Sequence, residues 1–318
     1  MNYETRYGPL KGITSSQHYP DGTLKECMLE EPSELKTSYG ILVPQYEYAS
    51  VRRKYIHSVT FYPDGALKSI SLNDTTMVPT PAGILPAELI TFHENGGINR
   101  LFPLNGQISG YWEEDEEYGL ARELELKLPQ GTIKTKIIGI YFYENGEIKG
   151  ITLWPKDRLT IDTPLGRFRA RTGISYYPDG TLRSFEPSSP VKILSPIGQL
   201  QAYDLYSFSF YKDTHSVVFH ENGSLKSVLT TSDKVTVMDE SEMVHIYEPE
   251  VKANLLDDGS FFLEALKLDF EGEKVRIGGH REYSVKDCKF YIEPFRLPAQ
   301  SCGDCSSCAG CSGCSATR

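Results

Sequence analysis

Tyr176-Tyr177-Pro178-Asp179-Gly180-Thr181-Leu182-Arg183 is the stretch that decides the fold, because the chain repeats it. Five further copies begin at His18, Phe61, Phe92, Phe142 and Phe219. The shared pattern is an aromatic residue or His, then Tyr or His, Pro or Glu, Asp or Asn, Gly, any residue, Leu or Ile, and usually Lys or Arg. Pro-Asp-Gly and Glu-Asn-Gly are turn chemistry. Pro fixes φ at the first turn position, Asp or Asn tolerates the second, and Gly supplies a positive φ. A type I turn followed by left-handed Gly closes a three-residue hairpin with a bulge. Gly22, Gly65, Gly96, Gly146, Gly180 and Gly223 are therefore read as structural turn residues.

A second turn alternates with the first, at Pro81-Ala82-Gly83, Pro129-Gln130-Gly131, Pro164-Leu165-Gly166 and Pro196-Ile197-Gly198, with a weaker version at Ser38-Tyr39-Gly40. It reads as the same bulged hairpin. From the first glycine to the second is 18 residues in three units (22 to 40, 65 to 83, 180 to 198). The unit is thus roughly 32–34 residues of two hairpins, and about seven units fill residues 1–297. Period-two alternation, as in Leu159-Thr160-Ile161-Asp162-Thr163, predicts strands with one buried and one wet face. The expected fold is all-β, an elongated open meander of antiparallel hairpins. Two hairpins per unit and six or seven units are also propeller arithmetic, so a closed β-propeller is the alternative. Ser241 and Asp258-Gly259 mark a degenerate last unit, and Glu264 to Glu271 reads equally as strand or short helix.

The copies at Tyr176 and Phe142 resemble bacterial MORN-variant repeats, the hairpins also found in proteins labelled antitoxin components. The resemblance covers roughly residues 18–260. It implies an elongated single-layer β array used for protein or lipid-surface contacts. The Gly-Lys-x-His-Gly core of ordinary MORN repeats is absent here, and the units are longer.

A net charge of −10 argues against nucleic acid or an anionic membrane as the main partner. The start has no apolar run of the signal-peptide kind, and no stretch approaches ~18 consecutive apolar residues. A cytoplasmic location is the default expectation. No Gly-x-Ser-x-Gly, His-Glu-x-x-His, phosphate-loop or dinucleotide pattern is present. The expected function is a non-enzymatic scaffold that binds a protein, with an enzyme cleft built from the insertions as a minor reading.

Insertions carry the other candidates. Arg52-Arg53-Lys54, the only dense basic run, reads as a solvated hairpin tip or as a contact for an acidic partner. Tyr111-Trp112 precedes Glu113-Glu114-Asp115-Glu116-Glu117, read as a solvated acidic loop or as a cation or partner patch. A matching insertion lies around Tyr206 to His215. His93 and His220 occupy the slot filled elsewhere by Tyr19, Tyr62, Tyr143 and Tyr177, which makes them packing residues rather than ligands. That row of rings forms either a packing spine or a binding strip.

Residues 298–318 are rich in Cys, Gly and Ser and are expected to be flexible without a ligand. Cys302, Cys305, Cys308, Cys311 and Cys314 recur at every third position. Such thiolates could hold zinc, copper(I) or an iron–sulfur cluster, or serve as a redox or modified appendage. A metal-handling protein acting through this tail is the alternative function. Cys27 and Cys288 read as buried small residues.

Overall fold

Six of the repeated turns place their chemistry identically in the computed structural model, which describes residues 2–47, 51–53, 57–205, 215–253, 261–279 and 281–297. Each motif glycine has φ between +78° and +88°. The preceding Asp or Asn accepts a bond from the amide two residues later, at 2.9–3.1 Å for Asp21, Asp64, Asn95, Asn145, Asp179 and Asn222. The side chain thus completes the turn that glycine opens. The bulge leaves the Leu or Ile amide outside the ladder. In the first three copies a tyrosine hydroxyl takes it: Tyr3 from Leu24, Tyr7 from Leu67 and Tyr39 from Ile98.

Gly180 shows what the turn demands. Its φ is +84°, and an added Cβ would lie 3.2 Å from Cβ of Pro129. A β-branched side chain is costly in that region. Gly180→Val is expected to lower stability by about 2 kcal/mol in urea denaturation, and Gly180→Asn by less. An unchanged midpoint for the valine variant would contradict the assignment.

The second turns differ from the expectation. Thr37 pairs with Gly40, Thr80 with Gly83, Thr163 with Gly166 and Ser195 with Gly198, leaving two loop residues rather than a three-residue bulged loop. The hydroxyl before each loop donates to the glycine carbonyl, as in Thr80 to Gly83 at 2.7 Å. Thr5 does the same to Gly8, identifying a further hairpin at Tyr3–Leu10 that carries no Pro-x-Gly signal.

The first hairpins assemble one 16-stranded antiparallel sheet. Its path runs from Ile13–His18 at one edge to Arg281–Ser284 at the other, so it is open and the propeller alternative is excluded. At ~4.8 Å per strand it spans roughly 65 Å. Leu266–Glu271, undecided in the sequence, is a strand. It pairs with Lys274–Ile277 across a turn at Gly272, which supplies the seventh main-sheet hairpin. Ser241 lies instead in the turn between Asp233–Met238 and Val244–Tyr247, in a separate three-stranded sheet with Lys289–Pro294. Asp258 and Gly259 lie outside the described residues.

Register lines up one residue per strand into a continuous inner row. Cys27, Val59, Ile70, Ile90, Leu101, Ile140, Ile151, Ile174, Phe185, Val217, Val228, Leu268 and Ile277 are paired in succession. All are buried. The second hairpins cover this row, and their Leu35, Leu42, Val78, Leu85, Leu126, Ile161, Ile193 and Leu200 join the same core. The array therefore has two layers rather than one, because a row of thirteen apolar side chains must be removed from water on its own face. Cys27 is part of that core, and burial pushes its thiol up to about 12. Cys288 is only half-buried.

The ring row proves to be a spine. Tyr19, Tyr62, Tyr143 and Tyr177 donate from their hydroxyls to the backbone carbonyls of Phe61, Phe92, Tyr176 and Phe219, at 2.8–2.9 Å. His93 and His220 reach Phe142 and Phe270 through Nε2 at 3.0 Å, and a carbonyl acceptor requires the proton on that nitrogen. Each unit is thus bonded to the first aromatic residue of the next. Tyr and His share the slot because both extend a donor from a flat ring.

Candidate functional site

The outer face of the sheet bears the opposite row. Gln17, Glu26, Thr60, Ser69, Thr91, Arg100, Tyr141, Gly150, Ser175, Ser184, Val218, Ser227 and Asp269 follow one another through the register. Small hydroxyls dominate, and they pair across strands: Thr60 with Ser69 at 2.7 Å and Ser175 with Ser184 at 2.6 Å. Beside them runs the spine, interleaved with the basic motif position. Lys68 lies 5.5 Å from the centre of the Tyr62 ring and Arg183 lies 5.8 Å from that of Tyr177. A shallow groove of about 460 Å³ opens there, walled by Tyr19, Lys25, Tyr62, Lys68 and Arg100. A groove with the corresponding lining recurs at Tyr177, His220 and Lys226.

The two charged runs, separated by sixty residues, meet on the margin of this face. Arg52 is not on a solvated tip. Its side chain is 14% exposed and forks between Glu88 and Glu117, which are 8% and 4% exposed. Nη2 lies 2.8 Å from Glu88 Oε2, and Nε and Nη2 each lie 2.7 Å from a Glu117 oxygen. The acidic partners of Arg52 therefore include Glu117 of the chain's own acidic run. That run is not a solvated loop either: Glu114–Leu120 forms helix α1, opened by a reciprocal capping box between Glu113 and Glu116.

Glu117 gathers the whole insertion. Besides Arg52 it accepts from Trp112 Nε1 at 2.7 Å and from the Gly106 amide at 2.8 Å. A Cβ on Gly106 would sit 2.1 Å from Glu117 Oε2, so only glycine lets the backbone approach the carboxylate. Burial would raise the Glu117 pKa, but the bonds from Arg52 and Trp112 outweigh it and hold the carboxyl below its usual range. For Arg52 burial acts in the opposite sense, and the same pairing drives its pKa upward on balance. Glu88 also accepts from the Asn105 amide at 2.9 Å. Arg53 points elsewhere, to the carbonyls of Leu72 at 2.7 Å and Asn73 at 3.3 Å.

Of the proposed contact residues, the structure brings Arg52 and Trp112 together on Glu117. Tyr111 stands apart at 81% exposed, and Lys54 lies outside the described residues. Glu88 was not singled out from the sequence. Its one signal is a carboxylate between apolar residues in Leu85-Pro86-Ala87-Glu88-Leu89-Ile90, a place where burial demands a partner.

Helix α1 roofs a cleft of about 300 Å³ over an apolar part of the outer face. Leu89, Phe102, Ile138, Tyr141 and Trp154 form its walls, with Glu114 and Glu117 on the roof side. Tyr118 pins the helix. Its ring meets Trp154 edge-on at 5.7 Å, and its hydroxyl reaches Asp157 at 3.3 Å.

A second buried ionic centre surrounds Glu186. Glu186 is fully buried and accepts from the amide and hydroxyl of Ser216 at 2.8 and 2.7 Å. Arg171 lies 3.7 Å away and stacks 4.4 Å from the centre of the Tyr203 ring. Here burial prevails and raises the Glu186 pKa, the opposite of Glu117. The difference follows first from the deeper burial of Glu186 and then from the cation: Arg52 binds Glu117 through two short bonds, whereas Arg171 stays at 3.7 Å from Glu186.

Cys302, Cys305, Cys308, Cys311 and Cys314 lie outside the described residues. Among the described residues no group of three His, Cys, Asp or Glu side chains is arranged to hold a metal ion, and no helix is long and apolar enough to cross a membrane. Compared with known proteins, the chain matches no family model, no curated protein and no solved structure.

Proposed function

We propose that the chain is a non-enzymatic scaffold that binds an extended protein segment along the outer face of its long sheet. The observation that carries this reading is the asymmetry of the two faces. The inner row is covered by the second hairpins, whereas the outer row from Glu26 to Tyr141 stays partly exposed and is flanked in most units by a half-buried ring and a cation; farther along, Ser175, Ser184, Val218 and Ser227 are buried. Rings that are already fixed by their own hydrogen bonds lose little freedom on binding. Tyr and Arg are also the residues enriched where proteins recognise one another. The likeness of the hairpin motif to MORN-variant repeats points the same way.

The test is recovery of binding partners from the source cell by the full chain and by a Lys68→Glu, Lys149→Glu, Arg183→Glu variant. Loss of a reproducible partner with the charge reversals, and its retention when the five tail cysteines become serine, is the expected result. Equal recovery by the charge-reversed chain would reject the outer face as the contact surface.

A second reading rests on the cysteine spacing alone, in which the tail carries a soft metal or cluster and the array is its address. Stoichiometric zinc, copper or iron with acid-labile sulfide in the anaerobically purified full chain, lost in the five-serine variant, is the result that reading requires.

A further inference from the structure

We propose that the cleft beneath helix α1 is a binding site for a small organic cation, an ammonium group carried on an aromatic or similarly bulky apolar stem. Its volume of about 300 Å³ is at the lower end for small-molecule sites, which suits one ring and a short arm rather than a peptide segment. Three aromatic side chains, Phe102, Tyr141 and Trp154, line it together with Leu89 and Ile138. This apolar lining interrupts a stretch of outer face that is otherwise mainly small and polar.

The sign of the ligand charge follows from the lining. Glu114 and Glu117 are its only charged side chains. Glu117 is satisfied by Arg52, Trp112 and the Gly106 amide, with Arg52 behind it rather than in the cleft. Glu114 lines the cleft with Ile108, and the cation it acts on is Lys156, which is ion-paired with Asp115. Arg100 lies 5.2 Å from the Tyr141 ring centre without lining the cleft. Lys136 and Lys156 lie over the Tyr118 ring, where Asp115 and Asp157 accompany them. An ammonium entering the cleft thus meets the Glu114 carboxylate and ring faces, both of which favour cations. A carboxylate ligand would meet two like charges.

The site is also rigidly built. Gly106 cannot become another residue without displacing Glu117, and Glu117 cannot move without releasing both Arg52 and Trp112. Preorganisation of this kind reduces the cost of ordering a ligand.

Intrinsic fluorescence provides the test, because the chain has two tryptophans and both are here: Trp112 on Glu117 and Trp154 in the cleft wall. Phenethylammonium would be titrated into the full chain beside neutral 2-phenylethanol and anionic phenylacetate. Saturable binding of phenethylammonium with a Kd on the order of 1 mM is expected for a ligand of this size. Glu114→Gln should weaken it roughly fivefold. Ile138→Phe should abolish it by filling the cleft, with circular dichroism verifying the fold of each variant. The proposal is overturned if no saturation occurs by about 10 mM, well above the expected Kd. Equal responses to all three probes, or an unchanged affinity in a folded Glu114→Gln variant, overturn it too.

Discussion

Arg52→Ala is expected to destabilise the protein by about 3–5 kcal/mol in urea or thermal unfolding, although Arg52 sits in a stretch that reads as surface. The cost arises less from the attraction lost than from what remains. Glu88 and Glu117 would be left as two buried carboxylates without their shared cation. Arg52→Lys keeps the charge but not the fork that reaches both acids at 2.7–2.8 Å, so an intermediate loss is expected. The pH dependence checks the assignment. The folded Glu117 carboxyl titrates below its usual value, so its contribution is fully present above the unfolded carboxylate range, near pH 4.3–4.5, and is lost as pH falls through the folded pKa. Wild type should therefore lose this increment on acidification, and the difference from Arg52→Ala should narrow. A constant difference from neutral pH into acid would show that the Arg52–Glu117 bond is not its source.

Phe185→Ala is the second large effect, expected at about 3–5 kcal/mol by the same measurements. Phe185 is fully buried in the inner row and stacks between Phe168 and Phe219, at ring separations of 5.5 and 6.3 Å. Phe168 belongs to the segment paired with Leu159–Thr163, whereas Phe219 belongs to the main sheet beyond Phe185. The ring therefore joins two neighbouring units and the second-turn hairpin between them. In an array held by nearest-neighbour contacts, a cavity at such a junction weakens coupling as well as the unit itself. Broadening of the unfolding transition, along with its earlier midpoint, is the expected signature. A loss below about 1 kcal/mol would mean that the aromatic stack relaxes to fill the gap.

How far the chain could be read in advance depended on the range of the interaction concerned. Asp179 and Gly180 act within four residues, through a side-chain bond to Thr181 and a positive φ, so their role is legible in any copy of the motif. The second turn was less legible, since its two-residue loop depends on a hydroxyl such as Thr80, whose contribution is easily overshadowed by Pro81 and Gly83. The spine lay between these cases. A recurring Tyr or His slot was plain, but its structural role required the carbonyl of the next unit, 30–50 residues away.

By itself, then, the sequence determined the repeat, its turns, the all-β class and the alternation that separates a dry face from a wet one. These follow from backbone sterics and period-two burial, which are local. Tertiary structure alone decided that the second hairpins fold over the inner row, and that Arg52 of the basic run pairs with Glu117 of the acidic run. A charge in a linear sequence gives no sign of its partner, because pairing costs desolvation and is settled by which distant groups the fold buries together. Arg52 and Glu117 looked like surface because charged runs usually are. They are buried because the insertion folds back across the sheet and surrounds them with partners, Glu88 for Arg52 and Trp112 and the Gly106 amide for Glu117.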